Sequence, residues 1–215
     1  MSSTSAPVPD DARPAPGAAP RATPARRRTL VTTLVVLAAV VLAVDQLTKQ
    51  LALDHLTEGV RRPVLGDLLG IQLLFNPGAA LGLATGTTWL LTLVAVAVVV
   101  VIVRAARRLG SRGWTVALGL LLGGAVGNLV DRMIREPGVA RGHVVDFIAY
   151  GDLFVGNVAD IAIVAAAGLL MLLSLRGVRL DGTRERDGAR DAEGDVPPGD
   201  RQTDGSVEPG ARADG

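Results

Sequence analysis

The chain has 215 residues, of which 49% are hydrophobic and 3% aromatic, and its formal net charge at pH 7 is +1. This small charge gives no reason to expect nucleic acid as a partner. Cysteine is absent, which excludes disulfides, thiolate nucleophiles and cysteine-ligated metals. The two histidines cannot form an ordinary zinc site without several carboxylates, so we expect neither a metal nor another cofactor.

The hydrophobic residues are concentrated between two polar tails. Residues 1–28 are rich in Pro, Ala, Ser and Arg, residues 176–215 are rich in Gly and charged residues, and neither tail shows a helix or strand period. Such composition is typical of disorder, so both are predicted to be disordered tails. Residues 29–175 between them are predicted to form the membrane domain.

Four apolar segments in this domain are long enough to cross the roughly 30 Å hydrocarbon core as helices. They are residues 29–50, 87–103, 114–131 and 158–175, with the second lengthened on its N-terminal side by residues 79–86. A cleaved signal peptide is the alternative for the first segment, but that segment is longer than a usual signal core and no convincing A-x-A site follows it.

Two loops, residues 53–87 and 132–157, separate these segments. Residues 63–76, PVLGDLLGIQLLFN, are typical of short strands joined by a glycine turn, and residues 132–157 are expected to form an ordered loop. The predicted fold class is therefore an all-α integral membrane protein with four transmembrane helices and small extracytoplasmic β and loop elements.

Arginine clusters near the span ends predict the orientation, because cytoplasmic loops carry an excess of basic residues. With four spans, three clusters fall on one side: residues 26–28, residues 104–112, and Arg176 with Arg179. The opposite loops also contain arginines, so the bias is clear but moderate. We expect both tails in the cytoplasm and both loops outside the cell membrane.

Several polar residues then reach the same depth, the outer membrane boundary. They are Asp45, Lys49, Asn76, Asn128, Asp131, Arg132, Asp146, Asn157 and Asp160. They could be independent helix caps facing solvent. Ionisable groups at membrane depth usually mark a functional site, however, so we interpret them as one shared polar site in the outer leaflet.

Two carboxylates held close together cannot both ionise cheaply, so they share a proton and can act as general base and general acid. Asp45 has Lys49 four residues along the helix, and Asp131 has Arg132 beside it, which favours structural ion pairs. Asp146 and Asp160 have no local cation, although Asp160 could simply stabilise a helix N-terminus. On spacing alone, all four acids remain candidates.

Five motifs occur in an order that resembles the lipoprotein signal peptidase family, also called signal peptidase II. They are DQLTK at 45–49, FNPGAALG at 75–82, GGAVGNLVDR at 123–132, GHVVDF at 142–147 and NVADIAI at 157–163. The resemblance covers about residues 30–175. It implies an aspartic endopeptidase of the bacterial inner membrane that removes signal peptides from prolipoproteins, cutting before a cysteine that carries diacylglycerol.

The same resemblance implies roles for individual residues. The catalytic pair corresponds to Asp146 and Asp160. Substrate-binding positions correspond to Asn76, Asn128, Arg132 and Asn157, and supporting positions to Asp45, Lys49 and Asp131. Globomycin would be expected to inhibit the enzyme. Gly156 departs from the family, which commonly has Phe before this asparagine, and this removes an aromatic wall beside the site.

Two other functions remain open from the residues alone. Carboxylates at span ends also serve transporters and proton-conducting proteins, but the cytoplasmic halves of the spans lack polar residues. A noncatalytic assembly factor is the third alternative. For the peptidase we expect diacylglyceryl-prolipoprotein substrates, contact with membrane lipid and a monomer.

Overall fold

The computed structural model describes residues 23–78 and 88–184, and four long helices dominate this part of the chain. The helices are α1 (Pro24–His55), α2 (Thr88–Ala106), α3 (Arg112–Ile134) and α4 (Val158–Leu175). Each of them is long and apolar enough to cross a membrane. The predicted fold class, four membrane-spanning helices with small β elements, is confirmed.

The first helix is longer than the apolar segment that predicted it. It begins at Pro24, where the hydroxyl oxygen of Thr23 accepts a hydrogen bond from the Arg26 N–H at 3.4 Å, and it ends at His55. Threonine as the capping residue and proline at the first helical position both favour a helix start. Residues 24–28, expected in a disordered tail, therefore belong to α1.

Glycines on α3 allow this helix to pack closely against its neighbours on two sides. A Cβ atom on Gly123 would lie 2.6 Å from Cβ of Val41 on α1, and one on Gly124 would lie 2.6 Å from the carbonyl oxygen of Ala159 on α4. Only a residue without a side chain fits such approaches. Helix α3 is thus the central element against which α1 and α4 pack.

The two outer loops combine into one antiparallel sheet. Its strands are β1 (Arg62–Leu65), β2 (Leu69–Asn76), β3 (Val144–Tyr150) and β4 (Phe154–Gly156), in the order β1-β2-β3-β4. The strands within residues 63–76 were predicted. Strands β3 and β4 were not, because VVDFIAY is mostly buried along its length and lacks the apolar–polar alternation that identifies a strand.

A small apolar cluster fixes the sheet to the end of α1. Ala52 of α1, Leu73 of β2 and Val145 of β3 are all buried against one another. The β2–β3 register pairs Leu74 with Asp146, so Asp146 lies within the paired region of the sheet's two longest strands, near the end of β2. The position of Asp146 relative to the helices is therefore set by packing as well as by strand pairing.

The chain continues in an ordered turn beyond the last helix. The carbonyl oxygen of Leu180 accepts hydrogen bonds from the N–H groups of Gly110 and Ser111 at 3.0 and 3.2 Å, and the Trp114 ring N–H donates to the Val178 carbonyl at 2.9 Å. Residues 177–184 therefore differ from the disordered tail that was predicted from residue 176. Residues 1–22, 79–87 and 185–215, which include the rest of both predicted tails and the predicted extension of the second span, lie outside the described residues.

Candidate active site

Asp146 is buried, with 1% of its surface exposed, and amide groups donate to both of its oxygens. Asn76, the last residue of β2, donates from Nδ2 to Oδ2 at 2.8 Å, and Asn157 donates from Nδ2 to Oδ1 at 2.6 Å. Burial raises the pKa of Asp146 to about 7, the hydrogen bond from Asn76 opposes this rise, and the charge of Asp160 adds to it. This carboxyl group can therefore exchange a proton near neutral pH.

Asp160 lies in the first turn of α4 and takes part in a capping box. Its Oδ2 accepts a hydrogen bond from the backbone N–H of Asn157 at 3.0 Å, while its own N–H donates to Oδ1 of Asn157 at 3.0 Å. This arrangement satisfies two N–H groups at the start of the helix. The other carboxylate oxygen, Oδ1, accepts from Nδ2 of Asn128 at 3.0 Å. Capping and the contact with Asn128 together restrict the orientation of this carboxylate.

Asn157 connects the two acids. It is fully buried, its side-chain amide donates to Asp146, and its backbone N–H donates to Asp160. The same Nδ2 also donates to Oδ1 of Asn128 at 3.1 Å. A single residue thus contacts both carboxylates, which brings together the two acids that lacked a local cation in the sequence.

The other two candidate acids share one lysine. Lys49 is fully buried, and its Nζ lies 2.8 Å from Oδ2 of Asp45 and 2.8 Å from Oδ2 of Asp131. Nζ also donates to Oδ1 of Asn128 at 3.0 Å, so three acceptors surround the three N–H bonds of the ammonium group. Two of the four candidate carboxylates are therefore paired with the same cation, and Asn128 is held between the lysine and Asp160.

The expected pair between Asp131 and Arg132 is not the one that forms. Besides Lys49, Asp131 pairs with Arg135, whose Nε lies 2.7 Å from Oδ1. Successive residues on a helix point in different directions, whereas residues four apart share a face, which explains the change of partner. Asp131 also accepts a hydrogen bond from the backbone N–H of Val145 on β3 at 3.2 Å, so it links α3 to the sheet.

Arg132 is buried near the site and has an unused donor. It is 8% exposed, and among residues 23–78 and 88–184 its Nη1 has no hydrogen-bond partner. A Cβ atom on Gly78 would lie 3.9 Å from this nitrogen. Buried polar groups are almost always paired, so a guanidinium N–H of this kind suits a bound acceptor.

Two contacts at the site were missed by sequence reasoning. Gln46 donates from Nε2 to Oδ2 of Asp45 at 3.1 Å and to the carbonyl oxygen of Gly127 at 3.1 Å. A Cβ atom on Gly127 would lie 2.6 Å from Oδ2 of Asp45. The position of Gln46 next to Asp45 in the DQLTK motif was the only available signal, because the contact with Gly127 spans 81 positions.

Gly156 was expected to leave the site without an aromatic wall, but an aromatic ring lies close to this glycine. A Cβ atom on Gly156 would lie 3.0 Å from Oδ2 of Asp160 and 3.5 Å from the ring of Phe154. The Phe154 ring stacks on Tyr150, with ring centroids 4.7 Å apart. The side of Asp160 that faces Gly156 is thus bordered by Phe154.

No metal is suggested by the donor set in the described part of the chain. Residues 23–78 and 88–184 contain no group of three or more His, Asp or Glu side chains placed to hold a metal ion. The carboxylates present bond instead to amides, to Lys49 and to Arg135. The carboxyl groups of this site can transfer protons, and its amide and guanidinium groups can form hydrogen bonds.

Fold and site together define a multi-pass membrane protein with a buried carboxylate–amide centre at one end of its helices. The family model described as Signal peptidase (SPase) II matches residues 37–176. The chain belongs to the signal peptidase II family, and it is accordingly a bacterial membrane protease. This membership decides against the transporter alternative.

Similar proteins cover most of the chain. A lipoprotein signal peptidase of Rhodococcus jostii is 52% identical over 178 residues, covering 82% of this chain and 87% of that protein. One from Leifsonia xyli is 45% identical over 183 residues, covering 83% and 85% respectively. A solved structure, described as a bacterial membrane enzyme, is 26% identical with a TM-score of 0.60, and the match covers 67% of this chain and 88% of that one.

Proposed function

We propose that this protease is an aspartic endopeptidase that removes signal peptides from diacylglyceryl-modified prolipoproteins, cutting before the lipidated cysteine. The observation that carries the proposal is the bridge formed by Asn157 between Asp146 and Asp160, while Lys49 and Arg135 form ion pairs with the other two candidate acids. The substrate class is supported by the relatives, which are named lipoprotein signal peptidases.

Catalysis requires one ionised and one protonated carboxyl group. The ionised carboxylate takes a proton from water as the water oxygen attacks the scissile carbonyl carbon, and the protonated carboxyl gives its proton to the carbonyl oxygen. Collapse of the tetrahedral intermediate then breaks the C–N bond: the leaving nitrogen takes the proton that the first carboxylate had removed from water, and the second carboxylate recovers its proton from a hydroxyl of the intermediate. A pKa of about 7 for Asp146 allows that group to change protonation state during this cycle.

The amides have two kinds of role in the proposal. Asn128 and Asn157 act as positioning residues, because their hydrogen bonds go to the acids and to each other. This differs from the substrate-binding role that the resemblance implied for them. Asn76 donates to Asp146 and forms part of the substrate-binding wall with Arg132, whose unused Nη1 would donate to a peptide carbonyl.

We propose that the end of the molecule that carries Asp146 and Asp160 faces outward and that both termini lie in the cytoplasm. These two acids, the polar centre of the site, lie where the end of α1, the end of α3 and the start of α4 meet the sheet. The arginine clusters at residues 26–28 and 104–112 lie at the opposite end of the helices, and such clusters favour the cytoplasmic side. The diacylglyceryl chains would remain in the bilayer beside the helices. The candidate catalytic and substrate-binding residues all belong to one chain, so we propose a monomer as the active unit.

The decisive experiment is cleavage of a diacylglyceryl peptide by purified wild type, Asp146→Asn and Asp160→Asn. Each substitution should lower kcat by about 10³-fold or more, because it removes one of the two carboxyl groups that transfer protons and the cycle needs both. Asp152→Asn is the matched control and should keep full activity, because the Asp152 side chain is fully exposed and pairs with Arg61 at the surface. Globomycin should inhibit the wild type. Full cleavage by the Asp146→Asn protein would overturn the assignment.

A further inference from the structure

A groove separates α1 from α2 at the end of the bundle opposite to the polar centre. Its volume is about 300 Å³. Both helices pack on α3, which closes the groove from behind with Leu122, while Leu34 and Ile102, each 2% exposed, form its floor. The residue of α1 that lines the groove nearest to Asp45 is Val35, about 15 Å away along the helix at a rise of about 1.5 Å per residue, so the groove lies apart from the candidate active site.

The rims of the groove are apolar and open to the side. Val35 is 54% exposed and Val103 is 53% exposed, and both lie on membrane-spanning helices. In a bilayer this opening faces acyl chains rather than water. An occupant that enters from the side must therefore itself have an apolar chain.

Two arginines lie at the mouth of the groove. Nη1 of Arg27 donates to the carbonyl oxygen of Arg107 at 3.0 Å, which brings this guanidinium across from α1 to α2. Within residues 23–78 and 88–184, neither arginine has a carboxylate oxygen within 4.0 Å. Their charge is thus uncompensated within the described structure, at the place where an apolar groove meets the membrane surface.

We propose that this groove binds an acidic glycerophospholipid, with one acyl chain along the groove and the phosphate between Arg27 and Arg107. Basic pockets between membrane helices on the cytoplasmic side favour anionic headgroups, and arginine forms charge-assisted hydrogen bonds to phosphate. The cytoplasmic leaflet as the source of this lipid rests on the proposed orientation. The lipid contacts α1, α2 and α3 and so fills a gap in the packing of the bundle.

Native mass spectrometry of the full-length chain, released from nanodiscs of equimolar phosphatidylglycerol and phosphatidylcholine, tests the proposal. The wild type should retain one phosphatidylglycerol in preference to phosphatidylcholine. Replacing both arginines, as Arg27→Gln with Arg107→Gln, should lower this preference roughly fivefold per arginine. Ala106→Leu, which narrows the groove and leaves both arginines in place, should reduce retention of the lipid.

Arg108→Gln is the matched control. It removes the same charge one residue away, from an exposed side chain that does not line the groove, and it should bind lipid as the wild type does. Arg27→Lys with Arg107→Lys keeps the charge and should keep most of the preference, which separates loss of binding from loss of folding. Peptidase activity is not the readout, so failure here is distinguishable from failure of the proposed function.

Three results would overturn the proposal. If Arg108→Gln lowers the preference for phosphatidylglycerol as much as replacement of Arg27 and Arg107 does, the lipid is attracted by surface charge in general. Equal retention of phosphatidylcholine by the wild type would show an apolar groove without headgroup recognition. The third result is that glycerol phosphate at equal concentration displaces phosphatidylglycerol, and does so equally well in the Ala106→Leu protein. This would show an anion site that does not use the groove.

Discussion

Asp146 occupies a position in which burial and hydrogen bonding act in opposite directions on its carboxyl group. Burial disfavours the charged form, whereas the amides of Asn76 and Asn157 donate to its two oxygens and favour that form. Burial is the larger effect, so the pKa rises to about 7 rather than to a value at which the group would always be protonated. The balance suits a group that must both hold and release a proton.

The raised pKa of Asp146 predicts how stability depends on pH. Between its unfolded value of 3.8 and about 7, the folded state binds the proton and the unfolded state does not, so stability falls as pH rises through this range. The free energy of unfolding should fall by about 4 kcal/mol at most across this pH range. Asp146→Asn should lack this dependence. Thermal midpoints of both proteins from pH 4 to pH 8 measure it, and parallel pH curves would contradict the prediction.

The buried ion cluster that joins α1 to α3 depends on Lys49. Lys49→Met leaves Asp45 and Asp131 buried without the ammonium between them, and removal of one partner from a buried pair costs about 3–5 kcal/mol. We therefore expect Lys49→Met to lower the free energy of unfolding by this amount, measured by denaturant titration in detergent.

Asp152→Ala serves as the control for the ion cluster. It breaks an ion pair with Arg61 in which the Asp152 carboxylate is fully exposed, and such surface pairs contribute about 0–1 kcal/mol. A loss with Lys49→Met no larger than that with Asp152→Ala would show that the buried cluster does not hold α1 against α3.

Close packing of α3 against α4 places Asn128 within reach of Asp160. A methyl group on Gly124 would lie 2.6 Å from the backbone oxygen of Ala159, so Gly124→Ala must push the helices apart. We expect a loss of about 1–3 kcal/mol in stability, together with lower kcat because the 3.0 Å bond from Asn128 to Asp160 lengthens.

Gly168→Ala provides the comparison on the same helix pair. Nothing lies within 4 Å of a Cβ atom at Gly168, so this change should leave activity intact and gain up to about 1 kcal/mol from helix propensity. Thermal midpoints and cleavage rates of both variants separate close packing from a general effect of glycine replacement. If the two variants have the same thermal midpoints and cleavage rates, close packing at Gly124 is not what positions Asn128 beside Asp160.

The orientation of the whole molecule can be tested because the chain contains no cysteine. Leu153, 80% exposed in the turn between β3 and β4, lies at the sheet end, and Arg108 is exposed at the opposite end between α2 and α3. In intact spheroplasts, a membrane-impermeant maleimide should label Leu153→Cys at once and Arg108→Cys only after lysis. The unmodified chain supplies the background, and the reverse labelling pattern would invert the proposed topology.

For the molecule as a whole, the positions of the helices could be predicted from the sequence, whereas only part of the sheet could. The predicted span 158–175 coincides with α4, and the predicted span 114–131 lies within α3, because hydrophobic length is a local property of the chain. Strand β3 was missed since burial removes the alternation that marks a strand. The pairing of β2 with β3 also joins segments far apart in sequence, which no local pattern reports.

The sequence by itself determined which segments are long and apolar enough to span a bilayer and which polar residues lie near their ends, because both depend on the order of apolar and polar residues along the chain. It also showed that Asp146 and Asp160 lack a nearby cation. Only the tertiary structure decided that Lys49 lies between Asp45 and Asp131, and that Asn157 contacts Asp146 and Asp160. The reason is physical: whether a buried carboxylate is neutralised depends on charges a few ångströms away in space, and packing alone brings those charges together.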